Sequence, residues 1–271
     1  MKLSVVIPAH NEVESVSLTV SRTVEELEKF GIDHEVLVIN DASTDGTEDV
    51  LRELSLQHST VRWVTSHLPP GFGHAIRAGL ELYEGDAVAI MMADMSDSPS
   101  DLVLYYRLLE SGYDCAFGTR FGRGGRTIDY PRFKLVLNRI VNTAIRILFA
   151  HGYNDTTNAF KAYRREVIDQ VQPLLSNHFN LTVEIPLKAI VRGYSFGVVP
   201  VSWTNRAHGE SKLKLKEMGS RYAFIILYVW LEHHLSRGDY RRKDTPVAEG
   251  LSPDHLTAED LTVLRGHAAD D

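Results

Sequence analysis

Hydrophobic and polar positions follow two rhythms along the chain. Short β-branched runs at 3-LSVVIP-8, 35-EVLVIN-40, 61-VRWV-64, 86-DAVAIMM-92 and 115-CAFGT-119 have the length and composition of buried strands. Between them apolar residues recur at helical spacing, as in 12-EVESVSLTVSRTVEELEKF-30, with Gly31 as the stop. Strand–helix alternation of this kind predicts an α/β fold, a mostly parallel sheet with helices on both faces. The second half changes character. A long amphipathic helix is expected over 132-RFKLVLNRIVNTAIRILFA-150, a strand over 158–164, a helix over 181–193 and a strand over 195–203. Helical pattern returns over 213–235, and no repeat of fixed period is visible. The folded domain is therefore read as residues 1–235. The stretch 236–271, rich in charge, Pro and Gly, is read as a flexible tail.

Composition narrows the function classes. With 271 residues, 44% hydrophobic and 24% charged, the chain is an ordinary folded protein. A net charge of −7 argues against a general nucleic-acid binder. A single cysteine, Cys115, excludes a disulfide framework or a cysteine zinc cluster, and the histidines show no ligand spacing. The start, MKLSVVIPAHNE, lacks the pattern of a signal peptide. The longest apolar stretch, 222-YAFIILYVWL-231, falls short of the roughly 20 residues that span a bilayer. A cytoplasmic protein is expected, with attachment to a membrane face left open.

In such sheets ligands bind outside the carboxyl ends of the strands. Three polar loops sit there: 8-PAHNE-12, 40-NDASTDGT-47 and 93-ADMSD-97. Taken singly, each holds ordinary turn and helix-cap residues. Together they point to a nucleotide site. Asp94, Asp97 and Asp101 also fall within eight positions, and such acids repel one another unless a cation lies between them.

These loops occur in order with 71-GFGHAIRAG-79, FGTRF and 206-RAHGESKL-213. In that combination the chain resembles family 2 inverting glycosyltransferases of GT-A (Rossmann-like) fold, and most of all the dolichol-phosphate mannose synthase type. The resemblance spans about Met1 to Leu235 and implies a site. Pro8, Ala9, Asn11, Glu12 and Asp41 would line the nucleotide pocket, with Gly73 and His74 beside it at the opening of a helix. Asp94, Asp97 and Ser96 would hold Mg²⁺ or Mn²⁺, which stabilises the departing diphosphate. The usual Asp-x-Asp is altered here. Met92 stands at the first Asp position and cannot supply a hard oxygen. Asp97 is an added carboxylate, either a ligand or a cap of the next helix.

Between residues 120 and 146 basic residues crowd the chain, with Asp129 as the one acid. By the resemblance Arg120 and Arg132 would contact the phosphate of a polyprenyl phosphate acceptor, whose oxygen is already ionised and needs no strong general base. Lys212, with Arg206 and Ser211, would close over the pyrophosphate. Asn158 and Glu184 would lie near the sugar. The expected reaction is inverting transfer of a hexose from a nucleotide sugar, GDP-mannose favoured and a UDP-sugar the alternative. The helices at 132–150 and 213–235 would lie on the cytoplasmic membrane surface, a setting with room for a small accessory membrane subunit. Two rivals remain: a transferase acting on a glycan hydroxyl, and a non-catalytic nucleotide-binding subunit.

Overall fold

The computed structural model describes residues 1–205 and 215–242. The first half runs β1 (Leu3–Ala9), α1 (Val16–Lys29), β2 (His34–Asn40), α2 (Thr47–Gln57), β3 (Val61–Thr65), α3 (Phe72–Leu82), β4 (Ala87–Ile90), α4 (Ser100–Glu110) and β5 (Cys115–Thr119). There follow β6 (Arg126–Ile128), α5 (Arg132–Leu148), β7 (Lys161–Arg164), α6 (Arg165–Gln170), α7 (Leu181–Val191), β8 (Phe196–Pro200), β9 (Ser202–Thr204) and α8 (Leu215–Leu235). Seven strands form one sheet in the order β3-β2-β1-β4-β7-β5-β8. Its described pairings are parallel except at β7, which runs antiparallel to both β4 and β5.

Alternation along the strands sends side chains to two cores. Val5, Ile7 and Val38 pack with Val20 of α1, Leu51 of α2 and Leu104 of α4. Val6, Leu37 and Ile39 face the other way, onto Ile76 of α3, Ile168 of α6 and Ile185 of α7. Helix α3 lies close on β1: a Cβ added at Gly79 would sit 2.4 Å from Val6 Cγ1. A third cluster joins Ile145 of α5, Leu187 of α7 and Ile225 of α8, so the two amphipathic helices share α7 as their support.

Two elements depart from the sequence pattern. The run 195–203 is split between β8 in the main sheet and β9, which pairs in parallel with β6 in a separate two-stranded sheet. Pro200 has no N–H to donate, and the next outward N–H, that of Ser202, is taken by the buried Asp101 carboxylate at 3.2 Å. The stretch after Ser236 also docks further than its composition suggests. Arg242 bonds Asp114 at 3.0 Å, approaches Glu166 at 3.4 Å and lies 5.1 Å from the Tyr194 ring centre. Close by, Arg192 holds Glu232 through a buried two-pronged pair at 2.8 and 3.0 Å. Residues beyond Arg242 lie outside the described residues.

Candidate active site

Three loops leave the carboxyl ends of β1, β2 and β4, and each contains one non-glycine residue in the left-handed region. These are Asn11 (φ 55°), Ala42 (φ 52°) and Met95 (φ 60°). Asn accepts that conformation readily. Ala42 and Met95 cost of order 1–3 kcal/mol each, and such strain gathers where a ligand is bound. The loops border a cleft of about 570 Å³.

At the β1–β2 end, Pro8, Ala9, His10, Glu12 and Asp41 line the cleft. The Asp41 carboxylate accepts the Gly71 N–H at 2.9 Å, which draws the opening of α3 against the strand ends. Gly71 and Phe72 consequently line the cleft, whereas the expected Gly73 and His74 do not. Gly73 is small for another reason: a Cβ there would fall 2.4 Å from the Asn177 carbonyl carbon. His74 Nδ1 lies 2.8 Å from the Pro69 carbonyl oxygen, outside the cleft. Asn11 is a second correction. Its Oδ1 accepts the Thr44 N–H at 2.8 Å and its own N–H donates to Ser43 Oγ at 3.0 Å, so it laces two loops together instead of lining the pocket.

At the β4 end, Met92, Asp94, Ser96 and Asp97 all line the cleft. Both acids are buried. Asp94 Oδ1 accepts the Ser96 N–H at 3.1 Å, and Asp97 Oδ2 accepts the Met92 N–H at 3.1 Å. Position 92 therefore serves through its backbone. Burial pushes the Asp97 carboxyl up to about 7, and the neighbouring Asp94 charge adds to the rise. Strand β9 closes this end: the Thr204 N–H donates to the Ser96 carbonyl at 3.0 Å, and Trp203 bridges to Asp97.

The lining also carries cations, Arg120, Lys134 and Arg221. Arg120 arrives paired. Its backbone N–H, Nε and Nη2 donate to the Asp155 carboxylate at 3.0, 2.8 and 2.7 Å. That carboxylate holds the guanidinium charged, well above its ordinary value. Arg132 is exposed and does not line the cleft. Lys134, two positions further along α5, reaches it instead. Tyr130 and Trp203, with ring centres 4.9 Å apart, stand beside these groups.

The remaining wall is formed by Thr157, Asn158, Ala159, His178 and Phe179. Phe179 stacks on Phe72 with 4.2 Å between ring centres. The Asn158 amide donates to the Gly118 carbonyl at 3.1 Å and its oxygen accepts the Phe160 N–H at 3.2 Å. Glu184 is a further correction. It is fully buried away from the cleft, accepting the Leu175 and Ser176 N–H groups at 2.8 and 2.7 Å and the Lys188 ammonium at 2.7 Å. Arg206, Ser211 and Lys212 lie outside the described residues. Sequence reasoning passed over His10, Phe72, Tyr130, Lys134, His178, Phe179, Trp203 and Arg221. Lys134 stood in the basic run and Trp203 just before the 206–213 block. His178 and Phe179 carried no motif at all.

Acids and cations thus share one lining: Glu12, Asp41, Asp94 and Asp97 with Arg120, Lys134 and Arg221, and Arg120 lies near enough to Asp97 to oppose its rise. Comparison with known proteins gives the family. The sequence profile described as glycosyl transferase family 2 matches residues 4–172. The chain is 33% identical over 215 residues to a polyprenol monophosphomannose synthase of Mycolicibacterium smegmatis, covering 77% of this chain and 80% of that one. It is 31% identical over 219 residues to a dolichol-phosphate mannosyltransferase of Pyrococcus furiosus, covering 80% of this chain and 60% of the longer relative. Among solved structures, it matches glucosyl-3-phosphoglycerate synthase from Mycobacterium tuberculosis in complex with Mn²⁺, UDP and glucosyl-3-phosphoglycerate. The TM-score is 0.62 at 21% identity, over 86% of this chain and 79% of that one, a likeness of fold.

Proposed function

Because this chain belongs to glycosyl transferase family 2 and is a glycosyltransferase of GT-A fold, we propose that it transfers mannose from GDP-mannose to a polyprenyl phosphate at the cytoplasmic membrane face. The observation that carries this reading is the two-signed cleft. Its carboxylates suit a divalent cation on a nucleotide, and its cations suit a second anion, the acceptor phosphate.

The donor set fits Mg²⁺ or Mn²⁺. Asp94 and Asp97 bring two hard carboxylates to the cleft, and burial, with the Asp94 charge adding to it, raises the Asp97 carboxyl. The nearest cations are engaged elsewhere, Arg120 by Asp155 and Lys161 by backbone carbonyls. Among the described residues no third His, Cys, Asp or Glu joins them, which matches a magnesium-type site held by one or two carboxylates plus substrate phosphates. Bound there, the ion would neutralise charge on the departing diphosphate.

The protein groups divide the rest of the work. Glu12 and Asp41 border the space for base and ribose, and both can accept N–H or O–H donors. Gly71 and Phe72, at the opening of α3, border the space left for the phosphates. Lys134, Arg221 and Arg120 hold the acceptor phosphate in line with the sugar carbon it attacks. An ionised phosphate oxygen is nucleophile enough without a base.

A membrane position for the acceptor is supported by the outer surface. Phe133, Val136, Ile140 and Ile147 of α5 and Phe224, Leu227, Leu231 and Leu235 of α8 are exposed apolar residues. Arg132 and Arg146 accompany them on α5. Exposed apolar side chains with flanking cations suit an interfacial helix. Among the described residues, no helix is long and apolar enough to cross a membrane.

A donor panel tests the reading. Purified protein with Mn²⁺ and polyprenyl phosphate should form lipid-linked sugar from GDP-mannose at least tenfold faster than from UDP-glucose or UDP-N-acetylglucosamine. The reverse order would make it a UDP-sugar enzyme of the same class. Product only on a glycan hydroxyl would refute the proposed acceptor.

A further inference from the structure

Lys161, the first residue of β7, is 1% exposed, and the reaction outlined above does not use it. An ammonium so placed loses its hydration, at a cost of several kcal/mol in a protein interior. An unbranched apolar side chain would fill the same space without that loss. Its hydrogen bonds show what the charge does there. Lys161 Nζ donates to the Thr156 carbonyl at 3.0 Å, to the Asn158 carbonyl, and to the Thr182 carbonyl at 3.3 Å. Three carbonyls use the three N–H bonds of an ammonium, whereas a neutral amine has only two.

Those carbonyls belong to two chain segments that meet in one wall of the cleft. Thr156 and Asn158 flank Thr157 in the segment that lines it, and Thr182 opens α7 just after the lining residues His178 and Phe179. Thr182 Oγ1 donates in turn to the Phe179 carbonyl at 2.8 Å. Asp155, adjacent to Thr156, is the residue that orients Arg120. Burial lowers the Lys161 pKa to about 7, and the Asp155 and Asp97 carboxylates oppose that fall.

We infer that Lys161 is a positioning residue for the sugar-and-acceptor end of the site: its ammonium sets the distance between the 156–159 segment and the 178–182 segment. This rests on the glycosyltransferase reading given above and adds to it which end of the cleft the residue governs. The nucleotide end, built on β1 and β2, is not part of the tie.

Lys161→Met keeps the volume and removes the three bonds, and Lys161→Gln restores two N–H donors. Calorimetry with GDP and GDP-mannose, or with UDP and UDP-glucose, in the presence of Mn²⁺ separates the two ends. The Met variant should bind the free nucleotide within twofold of wild type, lose the extra affinity contributed by the hexose, and turn over about 100-fold more slowly, as expected for misplaced reactants. The Gln variant should recover part of the turnover. Turnover of the Met variant within threefold of wild type overturns the inference. So does a parallel fall in nucleotide affinity and turnover, or failure of both variants to fold, since each assigns Lys161 to general stability. Wild-type protein silent on polyprenyl phosphate would defeat the functional reading alone, because the difference between nucleotide and nucleotide-sugar binding still reads the role of Lys161.

Discussion

Asp94 and Asp97 face a shared cleft, where Arg120 and Lys161 oppose but do not cancel the effect of burial on Asp97. Asp94→Asn should slow sugar transfer by roughly 100-fold or more, the scale of losing a preorganised charge contact. The fold should be kept, because asparagine has the same shape and its amide oxygen can still accept the Ser96 N–H. A radiolabel transfer assay beside a thermal melt checks both parts. A second residue sets the acid limb of stability. Burial, with Arg146 adding its repulsion, lowers the His151 pKa from 6.5 to about 4. The unfolded chain takes up the proton that the native protein refuses. The contribution is therefore complete above about pH 6.5 and is lost as pH falls to about 4. Allowing for solvent screening, roughly 1–2 kcal/mol is at stake. Melting temperature measured across pH 4–7 should fall less steeply in His151→Phe than in wild type. At this scale the sequence was a good guide where chemistry follows a strand end. Pro8, Glu12, Asp41, Asp94 and Asp97 all reach the cleft. It misled where a motif residue is spent on loop architecture, as at Asn11, Gly73 and Glu184, because the partners Thr44, Asn177 and Ser176 are set by tertiary packing.

Among the elements, α5 and α8 carry the clearest division of labour. Each turns some apolar residues inward onto α7 and leaves others to solvent, Phe133 and Ile147 each being 73% exposed. Burying a side chain of that size in an apolar phase is worth about 1.5–3 kcal/mol. Phe133→Ser with Ile140→Ser should weaken sedimentation with anionic vesicles by about 100-fold and leave turnover on a short, water-soluble acceptor unchanged. Equal vesicle binding would remove the membrane role of α5. The end of α8 is fixed by the Arg192–Glu232 pair, both side chains 5% exposed. Removing one partner strands the other, so Glu232→Ala should cost about 3–5 kcal/mol in denaturant unfolding. Most strands and helices were legible because their periodicity is local. The break at Val201 was not. It depends on Pro200 ending one ladder and Asp101, a hundred residues earlier in the chain, capturing the next N–H. The three-residue β6 carried too little pattern to be seen before its partner β9 was known.

For the whole molecule, the carboxyl ends of the parallel strands and an exposed apolar surface meet around one cleft. Strands β1, β2 and β4 deliver the acids, the end of β5 delivers Arg120, α5 delivers Lys134, and α5 and α8 leave apolar residues exposed. Fold and family follow from strand-end motifs that survive in order along the chain. The choice of donor base does not, since Glu12 and Asp41 can accept hydrogen bonds from either uracil or guanine. The most direct test of the account is to incubate purified protein with GDP-[¹⁴C]mannose, polyprenyl phosphate and Mn²⁺ and to measure label extracted into organic solvent. Lipid-soluble label that appears with Mn²⁺, disappears with chelator and is absent for Asp94→Asn is the predicted result. Label that stays wholly in water, or that reaches the lipid equally well in the Asp94→Asn protein, would contradict it.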